Sequence, residues 1–489
     1  MLWWTGIVAS AFGDEGRPRP FPDSVATGTG SETTFQPQRK SNMPRRNIAV
    51  LMIALVVCLA CAMRASRSGQ IIQFAMLEIQ RKALEPKPEK ELLENALHGM
   101  VDSLDPYSAY IDSKQLQRFE EDLDQEFAGI GVEVYLDPET EQITVACPLV
   151  GTPAYEAGIK PGDRITAIEG ESTEGWTLEE ASDKLRGEPG TPVRITLSRP
   201  GHEEPIELTI VRQIIQVDTV IGDTRNADGS WEYVLQEYPQ IGYIRLTTFA
   251  DATDEQLADV LTDLERRGIE GLILDLRNNP GGRLDVAVAV ADLFLESGVI
   301  VTTRYRDGTI KQQYAATPGS LCRDVPMVVL VNGESASASE IVAACLQDHA
   351  RAVVAGERSF GKGTVQELIL LPTGLGEIKL TTASYWRPSG KNIHRHEGDD
   401  ESAEWGVLPE PDLERKLDDD EFERWYRNRA LRDFYRAEGA PLPEGFEGVC
   451  EARYDPQLDV VLTYLGLQPI SDPTADTETE TASEPKSPS

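Results

Sequence analysis

The sequence predicts an α/β fold: buried parallel strands with functional loops at their C-terminal ends, preceded by a smaller β-rich module. Three observations predict it. Residues 268–276 read as a buried parallel strand that ends in the corner Asn278-Asn279-Pro280-Gly281-Gly282, and a helical pattern follows over 284–296. Residues 326–331 form a second apolar strand, which crosses a Gly-containing turn into an amphipathic helix from about Ser337 toward Gln347. Between residues 129 and 134 a glycine-bearing loop joins directly to an alternating strand. Strands alternating with helices call for a sheet covered on both faces.

In chain order, 1–47 is rich in Pro, Gly, Ser and Thr with no apolar period, and reads as a disordered or mis-started extension. Met43-Pro44-Arg45-Arg46-Asn47 offers a second start and a positive flank for the apolar run 48–63, a signal peptide or membrane anchor. The arginines stay cytoplasmic under the positive-inside tendency. The expected localisation is therefore the cell envelope, with the later domains outside the cytoplasm, as in a periplasm. Leu59-Ala60-Cys61 hints at lipoprotein processing, although Cys58 stands where Leu is usual. Residues 64–127 read as helical, interrupted near Gly99 to Ser108, and either pack the domains together or dimerise. After 415, a helical region over 416–467 leads to a disordered acidic tail, 468–489.

Ser337 and Lys362 carry the chemistry. A serine at a helix N-terminus sits among free N–H groups and the positive end of the helix dipole, which stabilise the oxygen charge that develops when an acyl carbon is attacked. An ordinary N-cap serine fits the same position. Lysine is a base near neutral pH only when burial or neighbouring cations lower its pKa. Gly361 and Gly363 free the backbone to press the Lys362 stem into a packed site, and Phe360 is expected to form an apolar wall. A lone Gly-Lys-Gly would be a surface loop; beside the serine segment it reads as a base.

Ser337-Ala338-Ser339-Glu340, the 25-residue step to Lys362, and Phe360-Gly361-Lys362-Gly363-Thr364-Val365-Gln366 resemble the C-terminal processing (tail-specific) peptidases. The resemblance implies a crotonase/ClpP-like ββα superhelix as the protease core, Ser337 as nucleophile, Lys362 as base, Gln366 orienting the lysine, and Glu340 in support. Ser335 and Ser339 are neighbours that the spacing sets aside. The family's oxyanion hole implies the backbone N–H of Ala338 and one from either Gly281 or Gly282. The resemblance covers roughly residues 75 to 415, including Asp105-Pro106-Tyr107-Ser108, and the chain departs from it in an acidic insertion from His394 through Glu404.

The module at 128–213 looks like an inserted PDZ domain, a partly open β-barrel or sandwich, with a helix at 177–186 between strands at 163–168 and 193–197. Such modules capture an extended peptide by strand addition and hold its C-terminal carboxylate in a backbone nest, here Gly129, Ile130, Gly131 and Val132. Arg186, at the end of the PDZ helix, is expected to couple the module to the core at 214–415.

The combined expectation is a serine endopeptidase that reads substrate C-termini and cleaves through an acyl-enzyme, with no metal or other cofactor. Its partners are proteins or peptides with accessible C-termini; membrane association through 48–63, self-association and an activator or adaptor protein are compatible with it. A net charge of −35 opposes nucleic acid. The five histidines offer no convincing triad: His349 reads as a helix C-cap, and His394 and His396 lie in a polar loop. Cys345 reads as helix packing, and spacing does not pair Cys147, Cys322, Cys345 and Cys450. The rivals are a catalytically silent PDZ/crotonase-like scaffold of the cell envelope and an acyl-CoA enzyme on the same core; export and the PDZ disfavour the second.

Overall fold

The structure, a computed structural model, describes residues 67–137, 140–202, 204–226, 230–433 and 453–471. The expectations for 1–47, for 48–63 with Cys58 and Cys61, for Cys450 and for the tail beyond 471 lie outside these residues. Two units divide after Pro86. The first contributes one described helix, α1 (Arg67–Lys82).

The second unit opens with α2 (Glu89–Val101), β1 (Ala109–Ile111), α3 (Ser113–Asp124) and β2 (Glu126–Gly129). The segment read as helical with an interruption near Gly99 to Ser108 thus also holds two short strands, β1 and β2. β1 pairs antiparallel with a strand more than 260 residues away, at Ala109↔Lys379 and Ile111↔Glu377. Its three residues carry too short a pattern to announce a strand; the pairing partner makes it one.

The β-rich module follows: β3 (Val132–Leu136), β4 (Ile143–Pro148), α4 (Pro153–Glu156), β5 (Arg164–Ile168), β6 (Glu171–Ser172), α5 (Leu178–Leu185), β7 (Pro192–Ser198), β8 (Ile206–Val211) and β9 (Gln213–Gln216). Its sheet runs β3-β4-β5-β7-β8 with β6 on β5, so β3 is an edge strand, while β9 pairs with β2. α5 packs beside β3. A reciprocal capping box fixes the start of α5: Glu180 N–H donates to Thr177 Oγ1 and Thr177 N–H donates to the Glu180 carboxylate. Ile130, Ile165, Ile195 and Leu197 fill the module's core.

The core continues with β10 (Val220–Ile221), β11 (Thr224–Arg225), β12 (Trp231–Glu232), β13 (Ile241–Leu246), α6 (Thr253–Arg267), β14 (Gly271–Asp275), α7 (Leu284–Asp292), β15 (Val299–Arg304), β16 (Ile310–Ala315), β17 (Met327–Val331), α8 (Ala338–Asp348), β18 (Val353–Gly356), β19 (Thr364–Leu370) and β20 (Glu377–Trp386). One sheet runs β10-β13-β14-β17-β18, with β13, β14, β17 and β18 parallel. Every residue of β14 and β17 is buried, as strands covered on both faces require. A second sheet runs β1-β20-β15-β16 with β19 on β20. α7 stops four residues before its expected end. Residues 293–295 keep the apolar pattern, with Phe294 and Leu295 buried, but the Phe294 and Leu295 N–H groups bond three residues back, which tightens the chain out of the α-helix.

α9 (Asp419–Asp433) and α10 (Pro456–Tyr464) follow. Leu458, Val461 and Leu462 of α10 cover β13, β14 and β17 on one side of the sheet. Arg277, two residues past the end of β14, is buried and donates to both Asp275 and Asp455. These pairs anchor the C-terminal end of β14, where the Asn-Pro-Gly-Gly corner begins.

Candidate active site

β14 and β17 are parallel neighbours, so their C-terminal turns emerge side by side. A reciprocal asparagine pair locks the two turns together: Asn278 N–H donates to Asn332 Oδ1 at 2.9 Å, and Asn332 Nδ2 donates to Asn278 Oδ1 at 2.7 Å. Asn279 fixes the corner from within, accepting from Gly281 N–H at 2.9 Å and donating to the Leu246 carbonyl at 2.8 Å.

Ser337 lies at the N-cap of α8, as its sequence position predicts, with φ 55° and ψ −111°. A non-glycine residue at positive φ stores strain, and such residues persist where their surroundings hold them. The holding group is Glu340. Its fully buried carboxylate accepts from Ser337 N–H (2.9 Å), Lys362 N–H (2.8 Å), Gly361 N–H (2.7 Å) and Ser359 Oγ (2.6 Å). Burial pushes Glu340 up to about 7, against the pull of those four donors. The neighbouring serines have structural partners: Ser335 Oγ donates to Leu276 O at 2.8 Å and Ser339 Oγ to Asn279 O at 2.9 Å.

Gly281 sits against the serine. With φ 108°, it occupies a conformation side chains rarely adopt, and a Cβ there would fall 2.9 Å from Ser337 Cβ and 3.0 Å from Ala338 N. Its N–H is taken by Asn279, and its carbonyl accepts from Phe249 N–H and Thr248 Oγ1. In a trans peptide the next N–H points opposite to that carbonyl, so Gly282 N–H is directed away from Phe249.

Lys362 is held below its ordinary range, first by burial and then by Lys379, while Glu340 opposes the shift. Its ammonium lies 5.1 Å from the ring centre of Tyr107. The expected wall, Phe360, is instead 43% exposed, and Gly361 between it and the lysine takes φ 88°. Gln366 donates to Thr364 Oγ1 (3.0 Å) and Thr381 Oγ1 (3.2 Å) rather than to the lysine. The buried phenol of Tyr385 lies beside the Ser337 hydroxyl, within reach of a hydrogen bond. Among the described residues none joins it to Lys362 Nζ, as is common in substrate-free sites. Tyr107, Asp105 and Tyr385 are the residues sequence reasoning missed as parts of this site; only the Asp105-Pro106-Tyr107-Ser108 motif signalled any of them.

A lysine whose folded-state pKa lies below 10.5 costs stability while it is protonated, and that cost fades as pH rises through the folded value to 10.5. Lys362→Met is therefore expected to melt at a higher temperature than wild type at pH 7, with the gap narrowing toward pH 10.5. Thermal melts across that range check it.

The remaining candidates separate clearly. His349 caps α8, as expected, with its Nε2 2.8 Å from Val299 O. His394 and His396 pack edge to face at 4.9 Å. Cys345 is buried and free, and burial pushes its thiol up to about 12, consistent with packing. Arg186 pairs with Glu121 of α3 at 2.9 Å and lies over Phe127, so its contacts are with the segment leading into the module.

In that module the carbonyls of Ile130 and Gly131 turn inward, accepting from Ala154 N–H and from Leu149 N–H and Thr152 Oγ1. The N–H groups of Gly131 and Val132 consequently point outward, beside edge strand β3. Gly131 takes φ 76°, and a side chain there would collide with Thr152. The Ile130 side chain itself belongs to the core.

Residues 240–409 match Peptidase family S41, and residues 144–199 match PDZ domain. The chain is 42% identical to a carboxy-terminal-processing protease of Bartonella bacilliformis over 62% of its own length and 68% of that protein's. It is 37% identical to a carboxyl-terminal-processing protease of Synechocystis over 68% of its own length and 73% of the relative's. Among solved structures, a photosystem II D1 C-terminal processing protease matches with 29% identity and a TM-score of 0.40, over 71% of this chain and 87% of that one.

Proposed function

This chain belongs to the carboxy-terminal-processing proteases of peptidase family S41 and is a serine-type peptidase with a PDZ domain, and from that membership we propose that Ser337 and Lys362 form its catalytic dyad. The observation that carries the assignment is the Glu340 carboxylate, which accepts from the backbone N–H groups of Ser337 and Lys362 at once and so ties nucleophile and base to one buried anchor.

In the proposed reaction, neutral Lys362 Nζ takes the Ser337 proton as Oγ attacks the substrate carbonyl carbon. The oxyanion of the tetrahedral intermediate is met by Ala338 N–H and by Gly282 N–H, which we favour over the Gly281 N–H already engaged by Asn279. The Lys362 ammonium then protonates the leaving amine as the peptide bond breaks. A water gives a proton to Lys362 as its oxygen attacks the acyl carbon, and the acyl group leaves as a carboxylic acid while Lys362 returns that proton to Ser337 Oγ. Gln366 acts at one remove, through Thr381. The PDZ holds the substrate's C-terminal carboxylate at the outward N–H groups of Gly131 and Val132 and adds the tail as a strand along β3. The positive flank and apolar run at 43–63 support an enzyme of the cell envelope, working outside the cytoplasm.

The test is to trap the acyl-enzyme. A short activated ester, quenched in acid after brief mixing, is expected to leave one acyl group on the peptide containing Ser337, read by mass spectrometry. Acylation elsewhere, or undiminished acylation in Ser337→Ala, would refute the assignment.

A further inference from the structure

The wall of the lysine comes from a segment 255 residues earlier in the chain. Asp105 accepts from the N–H groups of Tyr107 and Ser108, each at 2.9 Å, and from Ser108 Oγ at 2.6 Å, closing a tight turn that presents the Tyr107 ring. The same turn is bound to β20 twice: Thr381 Oγ1 donates to Asp105 at 3.0 Å, and Thr381 N–H donates to Ser108 Oγ at 3.0 Å. Thr381 in turn accepts from Gln366. The β1–β20 pairing begins one residue past Ser108 and fixes the register of the whole attachment. Ser108 is 5% exposed, so the turn is seated in the fold rather than draped over it.

We propose that Tyr107 is a positioning residue for Lys362, its ring seating the ammonium and keeping water from it, while Asp105 holds that ring in place through Ser108 and Thr381. The face of an aromatic ring attracts a cation and offers no hydrogen bond that would pin it, which suits a group that must turn toward Ser337 and back. The arrangement makes the segment before the PDZ part of the machinery of the dyad. It also gives the Gln366 position a route to the lysine that needs no direct contact. The proposal rests on Lys362 being the base.

The charged or titratable groups around the pair are Glu340 from α8, Lys379 from β20, Asp105 behind Tyr107, and His394, whose ring lies 6.3 Å from that of Tyr107. Removing the ring admits water, which favours the protonated amine; losing the ring's attraction acts the other way. Burial is the larger influence on Lys362, so its pKa rises.

The experiment measures kcat/KM for an unfolded protein with an apolar C-terminus, from pH 6 to 10, for the full chain and its Tyr107→Leu, Tyr107→Phe, Asp105→Asn and Lys362→Ala variants. Tyr107→Leu is expected to lose about tenfold at pH 7, with the acidic limb moved up by about one unit, because one unit leaves a tenth of the free amine. Tyr107→Phe restores most of that activity, and Asp105→Asn shifts the limb in the same direction by less. Should Tyr107→Leu fail to fold, the position of the Asp105→Asn limb decides the matter. An unmoved limb in the variants that fold, or equal loss in Phe and Leu, would overturn the proposal while an inactive Lys362→Ala left the dyad standing. An active Lys362→Ala would overturn the dyad and the proposal together.

Discussion

Ser337→Ala is expected to lower cleavage of an unfolded protein by a factor on the order of 10⁴ or more, and Lys362→Ala by a comparable factor. The two losses are expected not to add: once the nucleophile is gone the base has no proton to take, so the double variant matches the single ones. What survives is the contribution of the oxyanion donors and substrate binding, which neither substitution touches. The measurement is the initial rate of fragment release at fixed enzyme concentration. A Ser337→Ala variant that cleaved at wild-type rate would remove Ser337 from the chemistry. Substrate binding offers an internal control, because a carboxylate-bearing tail peptide should still dock on the PDZ of both variants.

The second large effect concerns Glu340, whose substitution should cost both fold and activity. Its oxygens divide the work evenly: Oε1 accepts from Ser359 and Gly361, Oε2 from Ser337 and Lys362. Glu340→Ala leaves these buried donors without acceptors, and at roughly 1–3 kcal/mol for each unsatisfied group the loss is expected to be at least about 3 kcal/mol. Glu340→Gln is nearly isosteric and still fails, since its NH₂ must face two donors. Denaturant unfolding should place both variants below wild type, with Gln the milder. Activity should fall further than stability, because releasing the Ser337 N–H relaxes the strained backbone that aims the hydroxyl. A Glu340→Gln variant with wild-type stability would show that the four bonds do not hold the site.

The same carboxyl sets a pH dependence. Its folded-state pKa of about 7 lies above the ordinary 4.5, so its contribution to stability is fully present below 4.5 and is lost as pH rises through 7. Lys362 acts with the opposite requirement, since it is a base only when deprotonated. Activity is thus expected to climb with pH over a range in which the folded state is losing stability.

Much of this protein was legible in short stretches of sequence. β14 and β17 announced themselves as apolar runs because strands buried on both faces have no solvent side to interrupt them. α5 was placed by the resemblance of its surroundings to a PDZ module, and Ser337 by its position between an apolar strand and a helix. The Asn-Pro-Gly-Gly corner was legible as the turn that ends a buried strand; the close approach of Gly281 to Ser337 came from the structure. Each of these signals depends on residues within a few positions of one another, and such signals survive in a linear reading.

Tertiary structure decided what surrounds the chemistry. β1 is a strand because β20 pairs with it, and no pattern in Ala109–Ile111 encodes that partner. Phe360, adjacent to Gly361 and the lysine, is exposed, while Tyr107 comes to the ammonium from the turn before β1, which lies across β20 from β19. Gln366 reaches Thr381 because the β19–β20 hairpin sets them side by side. The sequence by itself determined the fold class and the two residues proposed to do the chemistry, since helix, strand and turn preferences are local. The environment of those residues, meaning which ring walls the lysine and which carboxylate fixes the serine, came from contacts between distant segments, which form only when the whole chain has closed around them.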